Sequence, residues 1–210
     1  MIALLTQGHY ELFVLLLFAI VFSLSFHEFG HAYVAKTQGD LTAAQEGRLT
    51  INPWAHIDPF GLLMVVFVGF GYAKPVPTDP RNYTSRYSTM WVAAAGPFMN
   101  LILAALSINL LVLLLQSGNL SGGMHQFLQI LASINMLLML FNMIPIGPLD
   151  GHYILPYFLP RGVARRYVEL NARYGAFVLL GLIVLAILGL PIFSSLMAFA
   201  NLLLGFLVVV

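Results

Sequence analysis

The chain has 210 residues, of which 60% are hydrophobic and only 8% are charged, and its formal net charge is +1. Soluble domains carry roughly 25% charged residues, so this composition indicates an integral membrane protein, and we expect residues 1–210 to form a single domain. The balanced charge and the lack of a basic tract argue against a nucleic-acid partner. The absence of cysteine excludes disulfides and thiolate metal sites.

Long apolar stretches predict the membrane-spanning helices, because about 20 residues are needed to cross a bilayer. The last apolar region, residues 174–210, is expected to form a helical pair that splits at Pro191, since proline cannot continue a helical hydrogen-bond ladder. We therefore predict an all-α polytopic membrane protein with about five to six transmembrane helices. The predicted spans cover residues 12–35, 90–115, 124–144, 174–189 and 192–210.

Two further segments are expected between the first two spans. Residues 60–72 are apolar but too short to cross comfortably, and a proline-rich stretch follows them. This pattern is typical of a re-entrant segment, whose irregular backbone must be covered by protein or line a water-filled cavity. Residues 41–51 are threonine-rich and partly alternate polar with apolar side chains, which predicts a small β-hairpin.

The positive charges predict an orientation in the membrane. All nine lysines and arginines lie in two regions, residues 36–86 and 161–173. If residues 60–72 do not cross the bilayer, the positive-inside rule places both regions in the cytoplasm. We then expect a protein of the cell (inner) membrane with its amino terminus outside, its carboxyl terminus inside, and residues 27–31 near the cytoplasmic end of the first span.

The stretch "HEFGH" places three ionisable side chains inside the first apolar span. Ionised groups in a membrane helix cost roughly 2.5–3.5 kcal/mol each, so such residues usually face a protein interior and have a function there. His27 and His31 are four residues apart and share a helical face. The pattern H-E-x-x-H is typical of a zinc site in which Glu28 acts as general base toward water. The alternative is a polar patch that satisfies its own hydrogen bonds.

A third protein ligand is expected, because catalytic zinc commonly has three. Asp150 is favoured, since "PIGPLDG" breaks the helix at the cytoplasmic end of the third long span, at the predicted depth of His31. Without the histidine pair, Asp-Gly would simply indicate a turn. The candidates for the third ligand are His56, Asp58, Asp150 and His152.

Three pieces of the sequence resemble the site-2 protease family of intramembrane zinc metalloproteases. They are "HEFGH" (27–31), "AAAGPFMN" (93–100) and "NMIPIGPLDG" (142–151). The resemblance extends over residues 20–155, and it is to the compact branch that has no PDZ domain and no cystathionine-synthase-type nucleotide-binding domain.

The resemblance implies a function for the whole site. His27, His31 and Asp150 would bind Zn²⁺, and Glu28 would activate water. The implied reaction is hydrolysis of peptide bonds within or next to transmembrane segments of membrane-protein substrates, with the lipid bilayer as the surrounding medium. Nothing in the sequence sets an oligomeric state. The competing hypotheses are a membrane metal-ion transporter or sensor that uses the same ligands without hydrolysis, and an inert membrane scaffold.

Three further residues are candidates for contact with substrate. Asn142 matches the family asparagine that holds the substrate strand or the oxyanion, with a helix-capping amide as the alternative. Asn100 is assigned the same role, with a helix-packing amide as the alternative. His56 either bonds a loop carbonyl, plugs the open zinc position in a closed state, or donates a hydrogen bond to the tetrahedral intermediate.

Overall fold

The computed structural model describes residues 1–69 and 71–209, and over this part of the chain the regular structure is entirely helical. Short 3₁₀ turns lie at Pro53–Ala55, Pro80–Asn82 and Leu155–Phe158. The helices are, in chain order, α1 (Ile2–Thr6), α2 (Tyr10–Thr37), α3 (Thr42–Gln45), α4 (Pro59–Val68), α5 (Ser88–Gln116), α6 (Gly122–Asn142), α7 (Gly151–Ile154), α8 (Arg161–Ile187) and α9 (Ile192–Phe206).

Four of these helices, α2, α5, α6 and α8, are long and apolar enough to cross a membrane, whereas α4 and α9 are shorter apolar helices. The prediction of an all-α, multi-pass membrane protein is therefore confirmed. The predicted spans 12–35 and 90–115 lie inside α2 and α5, and the span 124–144 runs two residues beyond α6. The total of five to six crossings stays a prediction.

Small side chains let the central helices approach one another closely. A Cβ added to Gly30 of α2 would lie 2.7 Å from the carbonyl oxygen of Ala95 in α5, so only glycine fits at this crossing. Ala104 of α5, Ala132 of α6 and Ala200 of α9 are completely buried in one cluster. Lipid gives helices no hydrophobic reason to associate, and close packing of small residues provides much of the attraction instead.

The predicted β-hairpin at residues 41–51 is wrong. Residues 42–45 form the helix α3, and residues 46–51 are turns and bends without strand pairing. The side chain of Asp40 explains the helix, because its carboxylate accepts hydrogen bonds from both the backbone N–H and the hydroxyl of Thr42. The two alanines that follow favour a helix over a strand. Gly47, with φ of +68°, then ends the turn.

The first helix of the carboxyl-terminal pair begins much earlier than predicted. The sequence predicts it near residues 174–189, but α8 starts at Arg161. Hydropathy detects only the apolar half of α8, because its first three turns are polar and carry the ion pair between Arg165 and Glu169 (2.9 Å). The break at Pro191 is present, since α8 ends at Ile187 and α9 begins at Ile192.

The apolar run at 60–72 begins as a helix, and the described residues 71 and 72 lie back against that helix, while residue 70 lies outside the described part of the chain. Asp58 caps α4 by accepting a hydrogen bond from the N–H of Gly61 (2.9 Å), and α4 is followed by Gly69, whose φ of +86° is left-handed. The returning chain then packs on the first turn of α4, because a Cβ on Gly61 would overlap the carbonyl of Tyr72. This is the path of a re-entrant segment, and its entry into the bilayer stays a prediction.

Candidate metal centre and active site

Helix α2 carries His27, Glu28 and His31 in its buried part. The four-residue spacing brings the two imidazoles onto one face, and their Nε2 atoms lie 3.0 Å apart. Both rings and the Glu28 side chain are buried. The helix has no irregularity here, so the geometry of the pair follows directly from the sequence spacing.

Asp150 reaches the histidine pair from the turn between α6 and α7. Its Oδ2 lies 3.2 Å from Nε2 of His27, and its Oδ1 lies 3.4 Å from Nε2 of His31. The ligand atoms of the three residues all lie within 4.8 Å of one another, which makes them a group that could hold a metal ion.

The spacing of this group fits a tetrahedral metal. Zinc ligands at about 2.0–2.1 Å from the ion are about 3.3 Å apart along a tetrahedron edge. The two Nε2 atoms are 3.0 Å apart, and each lies at a similar distance from one Asp150 oxygen, 3.2 Å from Oδ2 for His27 and 3.4 Å from Oδ1 for His31. Two imidazoles and a carboxylate are also ligands that zinc prefers. In addition, Oδ2 of Asp150 is buried and accepts no well-aligned hydrogen bond from the described residues.

The hydrogen bonds of the two imidazoles assign their tautomers. Nδ1 of His31 donates to the carbonyl oxygen of Val92 (2.7 Å), which can only accept. Nδ1 of His27 donates to Oδ1 of Asn100 (2.6 Å). With a proton on each Nδ1, each neutral ring directs the lone pair of Nε2 toward Asp150, as metal binding requires.

Asn100 belongs to a buried network that crosses three helices. Its amide nitrogen donates to the carbonyl of Ser23 in α2 (3.2 Å) and to Oδ1 of Asn135 in α6 (2.8 Å). Asn135 in turn donates to the hydroxyl of Ser23 (2.8 Å). The hydrogen bonds of Asn100 all go to buried groups of the protein, which matches the alternative of a helix-packing amide. Asn100 also orients the ring of His27.

Gly96 keeps open the space in front of the imidazoles. A Cβ at this position of α5 would lie 2.6 Å from Nε2 of His27 and closer still to Nε2 of His31. Any other residue would therefore intrude on the atoms that could bind a metal. The motif "AGP" thus provides the room for an ion between α2 and α5.

The Glu28 side chain is bonded to a loop. Its Oε2 accepts a hydrogen bond from the backbone N–H of Val76 (3.1 Å), which lies in the proline-rich segment after α4. The side chain lies beside the possible metal ligands without joining their group. This is the arrangement needed by a base that acts on a molecule at the metal position.

The loop that carries Asp150 is supported by the polar half of α8. The hydroxyl of Tyr167 donates to the carbonyl of Pro145 (2.8 Å), and Oδ1 of Asn171 accepts a hydrogen bond from the N–H of Gly147 (3.1 Å). Gly175 allows this close approach, since a Cβ there would lie 3.0 Å from the carbonyl of Gly147.

The remaining candidates for the third ligand lie outside the metal group. His56 is 1% exposed, and its Nε2 lies 2.7 Å from the carbonyl of Thr50, which matches the alternative of a loop-bracing histidine. Asp58 caps α4. The ring of His152 packs against Tyr167, and burial lowers the pKa of this imidazole.

Asn142 is the last residue of α6. Its amide nitrogen donates to the carbonyl of Leu138 in the same helix (3.0 Å), as a helix-terminating amide does. Its contact with substrate stays a prediction.

Sequence reasoning missed several residues that shape this site. Ser23 and Asn135 are polar residues in apolar spans. Because polar side chains are costly to place in a membrane helix, their presence there was a signal that could have identified them. Val76 and Asn171 gave no signal, because their contacts join segments that are far apart in the chain.

Known proteins resemble this chain over most of its length. The profile of peptidase family M50 matches residues 15–118 and 116–188. A protein of Bacillus subtilis (strain 168) named "Putative zinc metalloprotease YwhC" is 41% identical over 175 residues, which cover 80% of each chain. Proteins named "Putative zinc metalloprotease Rip2" are 31% identical in Mycolicibacterium smegmatis and 33% identical in Mycobacterium tuberculosis (strain H37Rv), over 70% of this chain and 59% of theirs. No solved structure matches the chain.

Proposed function

The chain belongs to peptidase family M50, the site-2 protease family, and from this premise we propose that it is an intramembrane zinc metalloprotease. It hydrolyses peptide bonds within or next to transmembrane segments of membrane proteins. The observation that carries the proposal is the convergence of His27, His31 and Asp150 next to Glu28, inside and at the end of membrane-spanning helices.

The residues divide the chemistry between them. His27, His31 and Asp150 would hold zinc, and Asn100 and the carbonyl of Val92 fix the imidazole tautomers. Zinc, when bound, supplies a Lewis acid that makes water acidic enough to ionise near neutral pH and polarises the scissile carbonyl. Glu28 accepts the proton of the attacking water and delivers it to the leaving amine.

The position of the site defines the substrate class. His31 lies six residues before the end of α2, about 9 Å along the helix axis, so the site opens near one membrane surface. A substrate helix hides its carbonyls in its own hydrogen bonds, and it must unwind locally before Glu28 and the metal can act on one of them. Residues 41–51 form no strand that could pair with this extended substrate.

The orientation follows from charge. The basic residues of the α2–α5 connection and of the start of α8 lie on the cytoplasmic side, which puts the active site near the cytoplasmic face of the inner membrane. With α9 counted as a crossing, five spans lead from an external amino terminus to a cytoplasmic carboxyl terminus. Cysteines introduced at Ser121 and Arg165 test this, because reagents should label them from opposite sides.

The deciding experiment measures zinc content and cleavage together. The purified protein is reconstituted in vesicles with a transmembrane test substrate, and the variants Glu28→Gln and Glu11→Gln are compared with wild type. Glu11 is an exposed residue of the same helix and serves as the matched control. We expect Glu28→Gln to keep its zinc and to lose cleavage, and Glu11→Gln to keep both.

The same experiment can reject the proposal. Cleavage by Glu28→Gln at the wild-type rate would exclude Glu28 as the base. Zinc transport or zinc binding without cleavage in wild type would favour the transporter or sensor. Full zinc occupancy in Asp150→Ala would remove Asp150 from the ligand set.

A further inference from the structure

The proline-rich segment after α4 crosses the candidate site as an extended strap, defined here as residues 73–79. It has no regular secondary structure, and its sequence is "AKPVPTD". Its middle residue, Val76, is only partly exposed and meets Glu28. The strap connects α4 with α5. Hydrogen bonds at both of its ends and at Val76 indicate a second role.

The first end of the strap is fixed by two residues from the preceding loop. Nη2 of Arg48 donates to the carbonyl of Lys74 (2.6 Å), and the N–H of Lys74 donates to the carbonyl of His56 (2.8 Å). Arg48 is only 6% exposed and His56 only 1%, so both anchors belong to the interior. Buried Arg48 and the backbone of buried His56 therefore hold the first end of the strap in place.

The second end of the strap is fixed by one buried carboxylate. Asp40 has no exposed surface, and its Oδ2 accepts the N–H of Asp79 (2.7 Å). Its Oδ1 accepts hydrogen bonds from Thr42 and from the side-chain amide of Asn82 (3.0 Å). Asp40 lies three residues after the end of α2, so this anchor ties the strap to the helix that carries the histidine pair.

Between Pro75 and Pro77, the strap offers a single backbone donor. Pro75 and Pro77 have no N–H group, and the N–H between them, that of Val76, donates to Oε2 of Glu28 (3.1 Å). The prolines also stiffen the backbone on both sides of this donor. The strap therefore presents one fixed N–H to one oxygen of the proposed base.

We propose that the Val76 N–H orients Glu28, with Arg48 and Asp40 as positioning residues that hold the strap. One carboxylate oxygen is occupied by the N–H, which leaves the other to accept a proton from water at the metal position. The proposal rests on the function proposed above for Glu28. It assigns the strap to catalysis and not to metal binding, because no strap residue belongs to the group of possible ligands.

The first test removes the N–H and leaves the chain otherwise similar. Val76→Pro lacks the donor, and Val76→Ala loses side-chain atoms but keeps the donor, so the two variants form a matched pair. With the transmembrane test substrate we expect Val76→Pro to lower kcat by about 10- to 100-fold, as misplacement of a catalytic group does, with KM and zinc content unchanged. We expect Val76→Ala, which keeps the donor, to have a kcat at least about 10-fold above that of Val76→Pro.

The second test reads the hydrogen bond itself and needs no catalysis. Within residues 74–77 only Lys74 and Val76 carry amide protons, so hydrogen exchange can follow the Val76 amide in the full-length protein. We expect slow exchange in wild type and in Glu28→Gln, whose amide oxygen still accepts. We expect fast exchange in Glu28→Ala and in Arg48→Ala, with zinc retained in Arg48→Ala.

The outcomes separate this inference from the proposed function. If wild type shows no cleavage but the exchange pattern holds, the function fails and the bond to Glu28 stands. If Val76→Pro cleaves faster than wild type, the strap covers the site and does not position the base. Equal kcat in all strap variants, or equal exchange in wild type and Glu28→Ala, would overturn the proposal. If Val76→Pro misfolds and loses zinc, Arg48→Ala provides the test instead. A lower kcat and faster exchange of the Val76 amide in Arg48→Ala would support the proposal, and wild-type values of both would overturn it.

Discussion

The two histidines and the aspartate of the metal centre are held in different ways. His27 and His31 lie one turn apart in a helix of 28 residues, and each Nδ1 is bonded to a partner in α5. Asp150 lies in a turn that includes two prolines, and its position depends on Tyr167 and Asn171 of α8. We refer to these as the helix-borne half and the loop-borne half of the site.

This difference predicts that the helix-borne half is rigid and that the loop-borne half can adjust its position. The helix-borne half is fixed by helix geometry and by a buried amide network, so a change there should disturb metal binding strongly. The loop-borne half is fixed by single hydrogen bonds at the start of α8, where the helix is largely exposed. It should tolerate changes better, and it can shift without breaking a membrane helix.

The largest effect is expected from Gly96→Ala in the helix-borne half. The added Cβ would overlap the two Nε2 atoms, so zinc affinity should fall by more than the 10- to 100-fold that loss of an outer hydrogen-bond partner typically costs. Cleavage should be lost as well. Zinc titration of the purified variant gives the affinity.

The control for Gly96→Ala is Gly181→Ala in α8, where a Cβ would meet nothing within 4 Å. Replacing glycine by alanine inside a helix is intrinsically favourable by about 0.5–1 kcal/mol, so a loss at position 96 cannot come from helix propensity. Wild-type zinc affinity in Gly96→Ala would mean that the metal does not occupy the space in front of the imidazoles.

A smaller effect is expected from Asn100→Ala. This variant leaves Nδ1 of His27 without its acceptor and interrupts the network to Asn135, so zinc affinity should fall by about 10- to 100-fold. Asn109→Ala in the same helix removes a bond to the carbonyl of Leu207 in the segment after α9. That control should lower thermal stability and leave zinc affinity unchanged, and equal zinc affinities in both variants would contradict the role of Asn100.

The two halves were also unequally predictable from the sequence. The spacing of His27 and His31 determines their geometry because a helix repeats every 3.6 residues, and hydropathy identified the spans that contain them. The break at the end of a span, which is visible in the sequence, pointed to Asp150, and the structure brings this residue to the pair. Its role as a metal ligand stays a proposal. The supports of Asp150 in α8 were not predictable, because no local rule pairs Asn171 with Gly147 across 24 residues.

The loops were the least predictable part of the chain. Residues 41–51 alternate like a strand, yet the buried carboxylate of Asp40 starts a helical turn there. Its remaining bonds go to Asp79 and Asn82, some 40 residues away, and such contacts depend on the packed structure. The same holds for the Val76 contact with Glu28.

In the loop-borne half we expect a modest effect from Asn171→Ala. The N–H of Gly147 loses its acceptor, and one neutral hydrogen bond contributes about 0.5–1.5 kcal/mol, so zinc affinity should fall by about 2- to 10-fold. Arg165→Ala on the exposed face of α8 is the control and should change nothing measurable, because exposed ion pairs contribute little. A loss as large as that of Asn100→Ala would show that both halves are equally rigid.

The smallest effect is expected from protonation of Asp40, which holds one end of the strap, and this effect depends on pH. Burial of Asp40 alone would raise its pKa, but hydrogen bonds from Thr42, Asn82 and the N–H of Asp79 outweigh burial and lower the pKa. The unfolded value is about 3.9, so the carboxylate stabilises the folded protein above that pH and loses its contribution as pH falls through the lower folded value.

Acidification from pH 6 to below the unfolded value of about 3.9 should therefore weaken the hold of Asp40 on the strap. Exchange of the Val76 amide should accelerate over this range in wild type. Asp40→Asn cannot ionise and accepts fewer hydrogen bonds. After correction for the intrinsic pH dependence of exchange, the Val76 amide of this variant should exchange faster than that of wild type at pH 6. Its exchange rate should also change less on acidification. An identical corrected pH profile in the two proteins would show that Asp40 does not hold the strap, and it would leave Arg48 and the backbone of His56 as its anchors.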